Sequence, residues 1–403
     1  MRLALMIFAE LMAACPSFAA SSHWVGTWGA SPTPPMAVAP GIEARRVAPS
    51  FENQTLVQVV RLSAGGHRLR LRLTNEYGVK PLAIGAVRLA LVDADGADVP
   101  GSTREVRFAN AVATFIPPGA PLLSDSVDLT APRLARLRVS LYLPGQSGPC
   151  TCHMSGQEFV AVTGPGDLTE QPTAKPTGPA QYRAFLSGVE VEPGTPGRVI
   201  VTLGDSITDG YLSTPGADRR WPDRLAERLA ARYPKRTFGV VNAGIGGNRM
   251  LSDPVIASMG QSALTRFDRD VLSVAGVTDV VVLEGVNDLG ARVGRPSAED
   301  LIAGYRQLIA RAQARGLRII GATILPYEGA GYFSAEGEAT RQDVNAWIRG
   351  PGRFDAVIDF DAAIRDPAKP SRMRADWHAG DWLHPNDAGY RAMGDAIDLT
   401  LFR

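Results

Sequence analysis

The sequence predicts an all-β, jelly-roll-like sandwich over residues 24–192 followed by a parallel α/β domain over 198–403. Two observations predict the first domain. Apolar residues alternate with polar ones at a period of two in several short runs, and Gly, Pro and Asp clusters separate those runs with no long helical period between them. One observation predicts the second: after Pro193-Gly-Thr-Pro-Gly197, apolar strand-like runs alternate with helical patterns. That alternation implies a parallel sheet with right-handed crossovers and helices on both faces. With 403 residues the chain is long enough for two cores. Its 45% apolar and 21% charged content is that of an ordinary globular protein. A formal net charge of +1 gives no reason to expect nucleic acid or an anionic membrane surface as a partner.

Residues 1–19 read as a signal peptide, which implies a periplasmic or secreted protein. Arg2 is the basic region, Leu3 to Ala14 the apolar one, and Ser17-Phe18-Ala19 a small-x-small cleavage site, although Glu10 is out of place in it. The stretch is too short to span a bilayer. Cys15 after Met12-Ala-Ala opens a lipoprotein alternative, which Met12 fits poorly. Once Cys15 leaves with the signal, Cys150 and Cys152 remain, and a disulfide between them is open in an oxidising compartment. With His153 they suggest a metal site, but zinc needs a fourth ligand at recognisable spacing, and none is present; no metal is expected.

In the first domain, Leu69, Leu71 and Leu73 alternate with Arg68, Arg70 and Arg72, and Leu137, Val139, Leu141 and Leu143 alternate with Arg138, Ser140 and Tyr142. Both runs read as half-buried strands. Others lie at 56–62, 82–92, 159–162 and 184–191. The arginine stripe reads as the solvated side of a sheet rather than a surface for an anionic polymer. In the second domain the expected strands are 198–203, 237–243, 278–284, 317–324 and 355–359. Trp221, Leu225 and Leu229 share a helical face, with Pro222 tolerated in the first turn. The helix after the third strand starts at a Ser297/Asp300 capping box, buries Leu301, Tyr305, Leu308 and Ala312, and stops at Gly316. A last helix begins near Asp387.

Chemistry-bearing residues cluster where these strands end. Gly204-Asp-Ser-Ile-Thr-Asp-Gly210 follows Val199–Leu203, so Ser206 falls in the turn between a strand and a helix, at the carboxyl edge where open α/β sheets bind ligands. Gly-x-Ser-x-Gly is absent, which argues against the α/β-hydrolase elbow. Gly244-Ile-Gly-Gly247 follows the second strand, but Arg249 stands where a dinucleotide loop needs Gly or Ala. Asn287 lies just past the third strand. Asp381 and His384 share a loop before the last helix, and a carboxylate beside a histidine fixes the tautomer of a general base. Asp376 and His378 form a similar pair upstream, but only His384 is followed by Pro385-Asn386.

The four blocks around Ser206, Val240–Asn248, Glu284–Asp288 and Asp381–Asn386 resemble those of the SGNH, or GDSL, hydrolase superfamily in content, order and spacing. The resemblance covers roughly residues 198 to 403, departs at Ile207 where the name calls for leucine, and looks similar to the XynE-like esterase branch. It implies a flavodoxin-like strand order and a serine ester hydrolase without cofactor. Ser206 would be the nucleophile, His384 its base and Asp381 the orienting carboxylate. The backbone N–H groups of Ser206 and Gly247 and the Asn287 amide would form the oxyanion hole. An exported chain of this kind, with Tyr211 to Arg220 reading as a polar loop rather than an apolar lid, points to short acyl groups on a small-molecule or polysaccharide ester, acetylated xylan first. Alternatives are a lysophospholipase, a general short-chain or aryl esterase, an O-acyltransferase using the same residues, and a binding module on a vestigial fold. The intact catalytic set speaks against the last.

Overall fold

Two five-stranded antiparallel sheets precede one five-stranded parallel sheet along the chain. The structure is a computed structural model that describes residues 23–37, 40–41, 46–170, 181–291 and 294–403. The expected signal peptide at 1–19 and Cys15 lie outside the described residues. Among those described, no helix is long and apolar enough to cross a membrane.

The first sheet runs Val25–Gly29, Leu186–Glu192, Gly66–Thr74, Pro121–Leu123, with Val127–Ala131 also paired to Gly66–Thr74. The second runs Val160–Thr163, Gln54–Arg61, Arg136–Leu143, Ala86–Val92, Arg104–Val106. In Gly66–Thr74 the expected alternation holds: Leu69, Leu71 and Leu73 are fully buried while the arginines between them are half-buried. Arg68 and Arg70 each pair across the sheet with a glutamate of the neighbouring strand, Glu192 and Glu190. The stripe is therefore a paired sheet face. Arg136–Leu143 departs from the half-buried reading, because Arg138 and Ser140 are buried as well. This strand is the middle one of its sheet, and Asp98 covers its outer face, 2.5 Å from the Arg138 guanidinium. Two expected runs break in two. The 82–92 run divides at Gly85, and the 184–191 run at Phe185, whose φ of 56° turns the chain out of extended geometry. Cys150 and Cys152 are joined by a disulfide, their Cα atoms 5.2 Å apart.

The parallel sheet follows without a break, since Gly197 of the expected linker already belongs to its first strand. Its strands are β1 (Gly197–Gly204), β2 (Thr237–Gly244), β3 (Val277–Leu283), β4 (Arg318–Ala322) and β5 (Ala356–Ile358), in the spatial order β2-β1-β3-β4-β5. That is the flavodoxin-like order the resemblance implies. The strand cores are Val, Ile, Leu and Ala with little alternation, as a sheet covered on both faces requires. The same domain contains the helices α1 (Ser206–Asp209), α2 (Trp221–Arg232), α3 (Ala298–Gln313), α4 (Ala335–Arg349) and α5 (Asp387–Ala396). Helix α3 begins with the Ser297/Asp300 capping box and buries the four residues its spacing indicates.

The antiparallel domain closes the free edge of this sheet at β2. Gly239 of β2 approaches Gly26 so closely that a Cβ there would lie 2.1 Å from the Gly26 carbonyl oxygen. Ser63 accepts a hydrogen bond from Val240 N at 2.8 Å. An edge strand whose polar groups are covered in this way offers no template for pairing with another chain.

Candidate active site

Register explains why the separate sequence blocks meet. Gly204 at the end of β1 is level with Gly244 of β2 and Leu283 of β3. The residues that follow each strand therefore leave the sheet at one height, on one edge. Ser206 is the first residue of α1, a single turn capped by the Asp205 side chain on Ile207 N and closed by left-handed Gly210. His384 is brought over it by the loop before α5, whose N-cap Asn386 accepts from Ala388 N and Gly389 N.

Ser206 Oγ lies 2.8 Å from His384 Nε2, and His384 Nδ1 lies 2.6 Å from Asp381 Oδ2. Asp381 Oδ1 accepts from the backbone N–H groups of Leu383 and His384. Since a carboxylate accepts only, Nδ1 carries the donated proton and Nε2 faces the serine hydroxyl as acceptor. Burial pushes the Asp381 carboxyl upward, but the bond from the His384 ring and the two amides outweigh it and hold the group at about 2. The Tyr211 ring meets His384 edge-on at 4.8 Å. Between Asp381 and Leu383, Trp382 adopts a left-handed φ of 60°, with its ring against both His378 and Arg372.

Gly247 and Asn287 complete the mouth. Both line a cleft of about 220 Å³ with Ser206 and His384. Gly247 has φ 81°, and a Cβ there would lie 2.7 Å from the Met259 side chain, so the position favours glycine. Asn287 donates one amide hydrogen to Asn248 O at 2.9 Å, and its Oδ1 accepts from Tyr332 OH at 3.3 Å. Those two contacts orient the amide and leave its second N–H available. All five residues singled out in the sequence thus border one cleft or sit directly behind it. Asp376 and His378 do not line it. His378 Nδ1 accepts from Gly380 N at 2.9 Å, which makes that ring a brace of the loop.

Two contributors carry no sequence signal. Arg266, fully buried, donates to Gly204 O, Ala243 O, Asn248 Oδ1 and Asp270, tying the ends of β1 and β2 to the loop after β2. A single arginine in a five-residue helix belongs to no motif. Met154 and Ser155 of the antiparallel domain also line the cleft. Beneath it lie Asp205, Glu284 and Asp288, where burial raises Asp205 to about 7 and Asp288 to about 6 and pushes Glu284 well above its usual range. Among the described residues, no group of three or more His, Cys, Asp or Glu is placed to hold a metal ion.

Residues 202–392 match the GDSL-like Lipase/Acylhydrolase family. The chain carries a GDSL-like acylhydrolase domain. The solved structures similar to this GDSL-domain chain include a GDSL-like lipase from Bacteroides thetaiotaomicron, 18% identical, covering 51% of this chain and 87% of that one with a TM-score of 0.37. An acetyl xylan esterase is 20% identical over 49% of this chain and 96% of its own, TM-score 0.37. An aryl esterase of M. smegmatis is 16% identical over 50% and 96%, TM-score 0.41. No curated protein matches.

Proposed function

We propose that the protein is an exported serine esterase that hydrolyses short-chain esters, acetyl esters of carbohydrate such as acetylated xylan first among them, through Ser206, His384 and Asp381. The observation that carries this reading is the unbroken relay from Asp381 Oδ2 through His384 to Ser206 Oγ, at 2.6 and 2.8 Å, opening into the cleft beside Gly247 and Asn287. His384 Nε2 takes the hydroxyl proton while Oγ attacks the ester carbonyl carbon. The tetrahedral oxyanion is held by the N–H groups of Ser206 and Gly247 and the Asn287 amide. The imidazolium then gives its proton to the departing alkoxide, leaving an acyl-serine. A water molecule, deprotonated by His384, attacks that acyl group; the bond from Ser206 Oγ to the acyl carbon then breaks, His384 returns the proton to Oγ, and the carboxylic acid leaves. No step requires a cofactor or metal.

Tyr211 to Arg220 contains no helix or strand that would serve as an apolar lid. The Cys150–Cys152 disulfide suits an oxidising compartment and hence export. The test is direct competition. Acetate release from acetylated xylan or xylo-oligosaccharide is measured against fatty acid release from a lysophospholipid, with Ser206→Ala as the blank. A preference for the lipid overturns the carbohydrate assignment, and a new ester formed on an added alcohol, with no acid released in its absence, overturns hydrolysis in favour of acyl transfer.

A further inference from the structure

The parallel domain does not hold its nucleophile by itself. Asp209, the last residue of α1 and three positions beyond Ser206, is buried, and its Oδ1 lies 3.0 Å from His153 Nε2 of the antiparallel domain. The other oxygen of Asp209, also buried, has no hydrogen-bond partner among the described residues, so the histidine is what anchors this carboxylate. His153 Nδ1 lies 2.9 Å from Ser31 O, so each ring nitrogen faces an oxygen that accepts. The ring is therefore gripped at both nitrogens. Its backbone is no looser: His153 pairs with Arg183 in a short strand, and Thr33 N donates to Cys152 O at 2.9 Å. A second tie runs in parallel, because Arg220 donates to Gly156 O at 2.6 Å, and Arg220 packs so closely on Gly210 that a Cβ there would lie 2.2 Å from its Cγ. Between these ties, Met154 and Ser155 reach the cleft itself.

We propose that His153 is a positioning residue for the nucleophile: the segment 150–158 of the antiparallel domain, which begins with the Cys150–Cys152 disulfide, fixes, through Asp209, the one-turn helix that presents Ser206. Four residues form that helix, so any rotation of Asp209 is passed almost undiminished to Ser206 Oγ, which must keep a 2.8 Å contact with His384. The antiparallel domain is in this sense part of the active site rather than a prop beside it. The inference rests on Ser206 being the nucleophile of the proposed esterase.

The test compares His153→Gln with His153→Asn in the full-length protein. Both side chains are neutral amides, but only glutamine reaches the Asp209 oxygen. kcat and KM for p-nitrophenyl acetate, the rate at which a fluorophosphonate labels Ser206, and the melting temperature are read for each. His153→Asn should lose roughly 10- to 100-fold in kcat and in labelling rate, as a displacement near 1 Å does. Its KM should stay within about threefold, because ground-state binding is not what is lost. His153→Gln should recover most of both rates. Equal rates for the two variants, or losses that simply follow melting temperature, overturn the assignment. Asp209→Ala, which removes the group opposite the ring, serves where a His153 variant does not fold; labelling slowed roughly 10- to 100-fold supports the contact, and an unchanged rate overturns it. Wild-type protein that fails to hydrolyse the ester, or a Ser206→Ala variant that still does, sinks the esterase reading itself; an active, Ser206-dependent enzyme indifferent to His153 sinks only this one.

Discussion

Two separate demands fall on Gly247. Its φ of 81° is costly for any residue with a Cβ, and that Cβ would meet Met259 at 2.7 Å. Gly247→Ala is expected to displace the amide from the oxyanion position and lower kcat about 10²-fold or more, in the range that follows loss of one donor. A kcat within a few-fold of wild type would remove Gly247 from the oxyanion hole. Asn287→Ala should cost a similar factor of about 10²–10³, whereas Tyr332→Phe, which removes only the hydroxyl that steadies the Asn287 amide, should cost a few-fold at most. Equal losses at both positions would mean that Tyr332 touches the reacting atoms. Asp381 sets a further expectation. With its carboxyl held at about 2 in the folded protein against an ordinary value of 3.8, its contribution to stability is present above pH ~4 and is lost as pH falls towards 2. Activity lost at milder acidity therefore arises from another group. Asp381→Asn should leave folding at neutral pH largely intact and lower kcat by about 10²–10⁴ through the wrong imidazole tautomer; wild-type kcat in that variant would exclude Asp381 from the relay.

At the scale of elements, the loop from Asp376 to Asn386 shows how two nearly identical pairs divide their work. His378 accepts from Gly380 N and lies 3.9 Å, ring to ring, from Trp382, whose left-handed backbone sits between Asp381 and Leu383. Asn386 reaches back to Asp376 O and His378 O while capping α5. Pro385-Asn386 thus distinguishes His384 from His378 for a physical reason, since the asparagine closes the loop that presents it. His378→Ala should lose packing but keep the chemistry: kcat within about tenfold of wild type and a melting temperature lower by several degrees. A dead but folded variant would transfer the role of base to His378. The parallel strands, α3 and the four blocks were legible in the sequence because apolar runs, caps and turn glycines are local signals. Arg104–Val106, Thr114–Ile116 and Pro121–Leu123 were not, since three residues are too few to establish a period of two. Nor was the contact of His153 with Asp209, 56 residues apart in sequence and on different domains, where nothing local distinguishes a structural histidine from one that braces a nucleophile.

For the whole molecule, the acids beneath the cleft make stability run against the usual direction with pH. Asp205, Glu284 and Asp288 are nearly inaccessible to water, with Arg266 their nearest fully buried cation. For Asp205, burial is the largest influence, opposed by the hydrogen bond from Ile207 N and reinforced by the charge of Asp288, and the group stands at about 7 against an ordinary value of 3.8. Asp288 stands at about 6, raised by burial against the amides of Met250 and Leu251. An acid whose value is higher in the folded than in the unfolded chain binds more protons when folded throughout the interval between the two. Stability is therefore greatest below about pH 4, falls as pH rises through the interval, and levels off above about 7 as far as Asp205 is concerned. This is the reverse of what Asp381 contributes, and the two act in different windows. Asp205→Asn isolates the effect, because the asparagine oxygen still caps Ile207 N but carries no proton to lose. Urea unfolding of both proteins from pH 4.5 to 7.5 cancels the histidines and all other common titrations. The variant should gain on wild type steadily across that range, by on the order of a few kcal/mol in total. Parallel curves would mean that Asp205 is already ionised at pH 4.5 and that Arg266 neutralises the cluster fully.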